Sequence, residues 1–176
     1  EALAEAARRG VPVFLSAGYA TCHWCHVMEE ESFDDEQVAE RLNAGFVPVK
    51  LDREERPDID RVYIVATELQ HGHAGWPVSA FLKPDGTPFH IATYLPREQF
   101  LALLDAVSRA WREQPDEIEN VAARLGEAIR REGRLAEAPA EPPGEETAAA
   151  AARRLSEMHD PEHGGFSAAQ RFPQES

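Results

Sequence analysis

A short apolar run that breaks directly into a cysteine pair is the feature that constrains this chain most. Val11 to Leu15 (VPVFL) has the length and the β-branched and aromatic content of a buried strand. It breaks at Ser16-Ala17-Gly18, and Cys22-His23-Trp24-Cys25 follows within a few residues. Two cysteines separated by two residues, just past a strand and entering a helix, form a redox-motif signature. The spacing has a physical basis. On the first turn of a helix the two sulfurs lie within bonding reach, and the positive helix end stabilises the outer thiolate.

Around that junction helices and strands alternate. Glu1 to Arg9 reads as the end of a helix, with Leu3, Ala6 and Ala7 on one face and Gly10 closing it. A strand over 11–16 leads to the CHWC turn and a helix through Glu30. Asp34 and Asp35 are caps for a helix over 36–43, with Val38, Ala39 and Leu42 inward. A second strand covers 46–51, and the polar stretch 52–58 leads into a helix over 59–70. The apolar residues of that helix, Ile59, Val62, Tyr63, Ala66 and Leu69, recur at three and four. After a loop at 71–75, strands over 77–82 and 89–95 are joined by Lys83-Pro84-Asp85-Gly86, a strong turn signal. A helix over 97–113 buries Phe100, Leu101, Leu104, Val107 and Trp111, and Asp116 caps another to about Arg131.

The resulting order, α-β-α-β-α-β-β-α plus an extra helix, implies parallel strands with right-handed crossovers, to which the closing hairpin adds antiparallel ones. This is the arrangement of a thioredoxin fold, an α/β domain with a central mixed sheet flanked by helices, here over residues 1–135 with extra C-terminal helices. Residues 136–146 (AEAPAEPPGEE) carry no periodicity and read as a linker. A short helix over 147–158 follows, and the tail to Ser176 holds Phe166 and Phe172 with no evident domain to pack into.

Composition narrows the function. A net charge of −14 argues against nucleic acid, whose phosphates are bound by clusters of Lys and Arg. No stretch approaches the roughly 18 apolar residues that would cross a bilayer, so no membrane contact is expected. The chain opens at Glu1-Ala2-Leu3 without a Met and in mid-helix character, which reads as a fragment. Its two cysteines both belong to one motif, which favours a reducing compartment and hence the cytoplasm.

A lone CxxC has other chemistries. With His26 the motif also fits the C-x-x-C-H pattern of c-type haem attachment. With His71 and His73 it could complete a zinc site of two Cys and two His. Inert, buried cysteines are a fourth reading. Context favours redox chemistry. A haem at this strand-to-helix junction would have to be threaded into a sheet edge. Trp76-Pro77 opens the third strand, and X-Pro is the one bond for which cis is cheap. Thioredoxin folds place a cis-Pro beside the CxxC turn, which leaves the preceding backbone free to pair with an extended substrate.

The catalytic pair is then Cys22 and Cys25, with no cofactor and no metal, acting on a protein or small-molecule thiol or disulfide. Cys22, outermost and at the helix start, is the expected nucleophile, its pKa lowered from roughly 8.5 toward 7 or below. Cys25 resolves. His23 is a cation beside the thiolate, which places the expected potential between those of thioredoxin and protein disulfide isomerase, about −270 and −180 mV, a gap worth roughly 4 kcal/mol. Trp24, Trp76 and Pro77 are the expected docking and modulating residues. Tyr19 and Tyr63 are candidates for the cleft wall or the core. Lys50 and Asp52 end the second strand, where a proton carrier or a solvated strand end are both open. The run 52–56 (DREER) reads as a self-paired surface loop.

Taken together, GYATCHWCHVMEEESFDDEQVAERLNAGFVPVKLDREERPDID, then GWPVSAFLKPDGTPF and TYLP, closely resemble the thioredoxin-like domain of the spermatogenesis-associated protein 20 family, also called YyaL-type proteins. The resemblance runs from Glu1 to about Trp111 and implies a thioredoxin-type site at Cys22, Cys25 and Pro77. The tail DPEHGGFSAAQRFP is similar to the segment that opens that family's second domain, a helical (α/α) barrel related to glycosidases and sugar epimerases. That implies that residues 147–176 are the truncated start of a covalently linked barrel domain. A non-catalytic module that binds zinc or regulates such a barrel is the rival expectation. Ala74 departs from a second Gly, and Ala169-Gln170-Arg171 from the family's Ala-Pro-Lys.

Overall fold

The computed structural model describes residues 1–133, 144–159, 161 and 164–165. The chain divides into two compact units, Glu1–Arg134 and Leu135–Ser176. In the second, Gly144 precedes helix α7 (Glu145–Met158), none of whose residues is buried. Glu145 and Glu146 therefore belong to that helix and not to a linker. The rest of the expected linker, and Phe166 and Phe172, lie outside the described residues.

The first unit is built on a four-stranded sheet of order β2-β1-β3-β4. The strands are β1 (Val13–Gly18), β2 (Val47–Asp52), β3 (Val78–Leu82) and β4 (Pro88–Ala92). β1 runs parallel to β2 and antiparallel to β3, and β3 and β4 form an antiparallel hairpin. Parallel pairing is thus confined to one strand pair. The register Gly18↔Asp52 and Ala17↔Val78 brings the ends of β1 and β2 and the start of β3 to one end of the sheet. The cysteine turn and Pro77 leave the sheet at that end.

Alternation along the strands, interrupted at Phe89 by a register shift in the β3–β4 pair, divides the core. Phe14, Phe81 and Phe89 point to the side that also holds Met28, Val38, Leu42, Phe100 and Leu104. Val13, Leu15, Ala17, Val78, Ala80, Leu82 and Ile91 point to the other, with Ala6, Tyr63, Ile64 and Ala66. The first layer comes from α2 (His23–Met28), α3 (Glu36–Gly45) and α5 (Arg97–Glu113). The second comes from α1 (Ala2–Arg9) and α4 (Pro57–His71). Helix α6 (Pro115–Gly133) gives Ile118 and Ala122 to one layer and Leu125 and Ile129 to the other. Both faces being covered explains why β1 and β3 are buried along almost their whole length and carry only small polar residues, Ser16 and Ser79. Phe81 sits centrally, 5.3 Å from Phe14 and 5.6 Å from Phe46 between ring centroids.

Several boundaries differ from expectation, each for a local reason. The helix after the cysteines does not stop at Glu30. It continues as a π-helical turn over Glu29–Phe33, in which the buried Ser32 hydroxyl has no hydrogen-bond partner among the described residues. Asp35 alone caps α3, accepting from the amides of Gln37 and Val38. α6 starts at Pro115, which needs no amide partner at a first helical position, so Asp116 lies inside the turn rather than at the cap. β4 ends at Ala92 because Tyr94 turns away to Glu31 and Trp24. In α4 the buried face is Asp60, Tyr63, Ile64, Ala66 and Thr67, whereas Val62 and Leu69 are exposed. Burying Asp60 and Thr67 is inexpensive because each finds a partner. Asp60 accepts from the Trp76 indole at 2.9 Å, and the Thr67 hydroxyl donates to the Tyr63 carbonyl at 2.7 Å.

Candidate active site

Cys22 occupies the N-cap of α2 with extended backbone (φ −75°, ψ 108°), and its Sγ accepts the Cys25 amide at 3.2 Å. The two sulfurs are joined as a disulfide, with S–S 1.99 Å and Cα atoms 5.2 Å apart. This is the capping position at which a thiolate meets an otherwise unpartnered helix amide. The expectation that Cys22 is the outermost sulfur needs correcting for the closed form. Cys22 is only 3% exposed, and Cys25 is the more accessible of the two. Folding back to accept the Cys25 amide takes the Cys22 sulfur off the surface.

A cleft of about 240 Å³ opens beside Cys25. Its walls are Gly18, Tyr19 and Ala20 after β1, His26 and Glu29 on the helix, Lys50 and Asp52 at the end of β2, and Pro77. The close approach of helix and strand depends on Gly18. A Cβ there would lie 2.8 Å from Cys25 Sγ, nearer than carbon and sulfur can pack. Lys50 and Asp52 line the same cleft as Cys25, and Lys50 Nζ pairs with Glu29 at 3.0 Å. His26 Nε2 lies 2.8 Å from the Ala20 carbonyl and donates to it, which pins the turn to the strand end.

The expected docking residues flank this turn. Trp24 is 51% exposed, its ring 4.8 Å from Tyr94 and 5.3 Å from His23, itself exposed. The Tyr94 hydroxyl donates to Glu31 at 2.6 Å. Hydrogen bonding to that carboxylate, with some desolvation, holds the Tyr94 phenol above its ordinary pKa. On the other flank the Trp76–Pro77 peptide bond is cis. Trp76 packs edge-on against Tyr19 at 5.9 Å, with its indole N–H on the buried Asp60 carboxylate. Tyr63 is core. Its hydroxyl donates to the Gly86 carbonyl, and burial pushes its pKa up to about 12.

The zinc set is not brought together. Among the described residues no group of three or more His, Cys, Asp and Glu could hold a metal ion. His71 Nε2 instead meets the Ile91 carbonyl at 3.0 Å, and His73 Nδ1 the His71 carbonyl at 3.1 Å.

Residues 1–130 match the family model Thioredox_DsbH, described as a protein of unknown function, DUF255. The chain belongs to this family. Among curated relatives, human spermatogenesis-associated protein 20 is 36% identical over 181 residues, which cover 98% of this chain and 23% of that protein. An uncharacterized protein of Caenorhabditis elegans is 42% identical over 131 residues, 71% of this chain and 18% of its own length. The chain therefore spans about a quarter or less of the relatives it matches. Among solved structures, a thioredoxin from Thermus thermophilus superposes with a TM-score of 0.50 at 23% identity, covering 62% of this chain and 83% of that one. The fold is that of thioredoxin, and it carries its two cysteines as a disulfide-bonded CxxC pair.

Sequence reasoning missed three residues of this neighbourhood. Tyr94 was hidden at the end of a supposed strand. Asp60 lies outside the apolar three-and-four pattern of its helix, yet it is buried. Arg53 was assigned to a self-paired loop. The loop does not pair with itself: Arg56 reaches Asp58 in the first turn of α4 at 2.8 Å, and Arg53 stacks on Trp76. A signal for Tyr94 was present, since TYLP is one of the segments that carry the family resemblance.

Proposed function

We propose that the unit is a thiol–disulfide oxidoreductase in which Cys22 attacks and Cys25 resolves. The observation that carries the reading is the Cys22–Cys25 disulfide at a helix N-cap beside an open cleft. In the dithiol form, the Cys22 thiolate attacks one sulfur of a substrate disulfide. That S–S bond breaks, a mixed disulfide forms on Cys22, and the first substrate sulfur leaves as a thiolate. Cys25 then loses its proton and attacks Cys22 Sγ, closing the protein disulfide and releasing the second substrate thiolate. The substrate gains two electrons, the protein loses two, and a dithiol reductant returns it to the starting state.

The surrounding residues divide the work. The Cys25 amide and the helix end favour the Cys22 thiolate, and His23 supplies a cation when protonated. The Glu29 and Asp52 carboxylates, on the cleft wall with Cys25, are the groups that take up its proton, with the Lys50 ammonium paired to Glu29. Trp24 and the Trp76–Pro77 edge offer apolar surface on either side of the turn. Partners on this reading are protein or small-molecule thiols and disulfides, and the compartment is the cytoplasm. The chain's share of its relatives' length supports a further domain, which we take to be an (α/α) barrel. Turnover of insulin disulfides with dithiothreitol as reductant tests the reading. Wild-type protein accelerates insulin reduction and Cys22→Ser abolishes the acceleration, whereas a wild type no faster than dithiothreitol alone refutes it.

A further inference from the structure

We propose that Arg53 selects substrate disulfides that carry a carboxylate close to the reactive sulfur. The inference rests on the oxidoreductase reading and gives its substrate a chemical class.

The Arg53 backbone amide donates to the Gly18 carbonyl at 2.9 Å, which fixes the residue where β1 and β2 end beside the cysteine turn. Its guanidinium carbon lies 3.9 Å from the Trp76 ring centroid and 5.4 Å from that of Tyr19. Both rings belong to the site's surroundings. The Tyr19 carbonyl accepts the Cys22 amide at 3.1 Å, and Trp76 is bonded to Pro77 on the cleft wall.

Among the described arginines, Arg53 is set apart by its stacking on two aromatic rings beside the cysteine turn. The protein has 32 acidic residues against 18 basic ones, and Arg8, Arg41, Arg56, Arg97 and Arg130 each find a carboxylate within 3.1 Å. Lys50, on the cleft wall, is paired with Glu29. Arg53 has acidic neighbours on both sides in sequence, yet among the described residues no carboxylate pairs with it. Asp52 Oδ1 instead accepts the Glu54 amide at 2.7 Å, and Asp60 Oδ1 accepts from the Trp76 indole.

Stacking engages a face of the guanidinium, and among the described residues its N–H groups find no carboxylate partner. A pre-organised fork of this kind binds a carboxylate through two parallel hydrogen bonds. It also compensates locally for a net charge that elsewhere disfavours anionic substrates.

The test uses the reduced chain and two small disulfides of similar size, 3,3′-dithiodipropionate (dicarboxylate) and bis(2-hydroxyethyl) disulfide (neutral). Stopped-flow mixing gives a second-order rate constant for each, and the ratio of the two is the readout. Arg53→Gln lowers that ratio about tenfold, the scale of one hydrogen bond to a charged group, and Arg53→Lys recovers part of it. A role limited to propping Trp76 would slow both reactions alike. A ratio indifferent to residue 53 while the wild type reacts with the neutral disulfide overturns this inference and leaves the oxidoreductase reading standing. A wild type that reacts with neither overturns both. Mixed peptide disulfides with Glu or Gln beside the cysteine separate the sources of the carboxylate. A Glu preference lost in Arg53→Gln supports the inference for acidic protein segments, and a preference confined to dithiodipropionate supports it for small disulfides.

Discussion

Adding one methyl group at Gly18 acts directly on the redox balance of the cysteine pair. In Gly18→Ala the new Cβ would sit 2.8 Å from Cys25 Sγ and 3.4 Å from Cys25 Cβ. Ordinary contact starts at about 3.5–4.0 Å, so the sulfur is overlapped by nearly 1 Å. The backbone of Gly18 is not left-handed, so the penalty is steric rather than conformational. Overpacking of this size costs about 1–3 kcal/mol. The two redox forms do not bear it equally. In the disulfide, Cys25 Sγ is bonded to Cys22 and cannot swing away, whereas the free thiol can change rotamer. The disulfide is therefore destabilised relative to the dithiol, and the potential becomes less negative. With 30 mV equivalent to about 1.4 kcal/mol, the upper bound is about 20–65 mV. Equilibration against glutathione mixtures, acid quenching, alkylation and mass analysis of the trapped species measures the shift. The oxidised variant also loses more thermal stability than the reduced one. A potential that is unchanged, or that moves more negative, refutes the steric argument.

Two further predictions concern the frame around the site. Phe81→Ala removes a fully buried ring in contact with Phe14, Phe46 and Phe89, and lowers unfolding stability by about 3–5 kcal/mol in urea titrations. A loss below about 1 kcal/mol contradicts the central place given to that ring. The His90 imidazole is held below its ordinary pKa by burial and, secondarily, by the charge of His71. It faces Gln70 at 3.5 Å and the Phe81 ring at 5.8 Å. The unfolded state binds the proton more readily, so this contribution is fully present above the unfolded value of about 6.5 and is lost as the pH falls through the folded value. Urea midpoints at about pH 7.5 and 5.5 fall less in His90→Gln than in wild type, and equal falls in the two proteins contradict the assignment.

The architecture was legible because local signals agreed with one another. Gly10 closes α1 in the left-handed conformation (φ 68°), Asp35 caps α3, and Gly86 (φ 86°) completes the turn that sets the β3–β4 hairpin. The apolar run at 11–15 and the turn signal at 83–86 located the two strands that are covered on both faces. What pattern reading lost were the residues whose burial or charge depends on a distant partner. Asp60 faces inward because the Trp76 indole, sixteen positions away, takes its carboxylate. Arg53 leaves its acidic neighbours because two aromatic rings offer it a face. No window of neighbouring residues contains those partners. The ordering of the cysteines by exposure failed for a related reason. It assumed an open helix start, whereas the closed turn folds the Cys22 sulfur back over the Cys25 amide.

The nucleophile assignment is tested most directly by trapping the intermediate. Reduced Cys25→Ser protein, mixed with bis(2-hydroxyethyl) disulfide and analysed by intact and peptide mass spectrometry, should hold one hydroxyethanethiol adduct on Cys22. Cys22→Ser protein should hold far less on Cys25 over the same interval. Adduct formation on Cys25 at the greater rate, or on neither sulfur, would contradict the account.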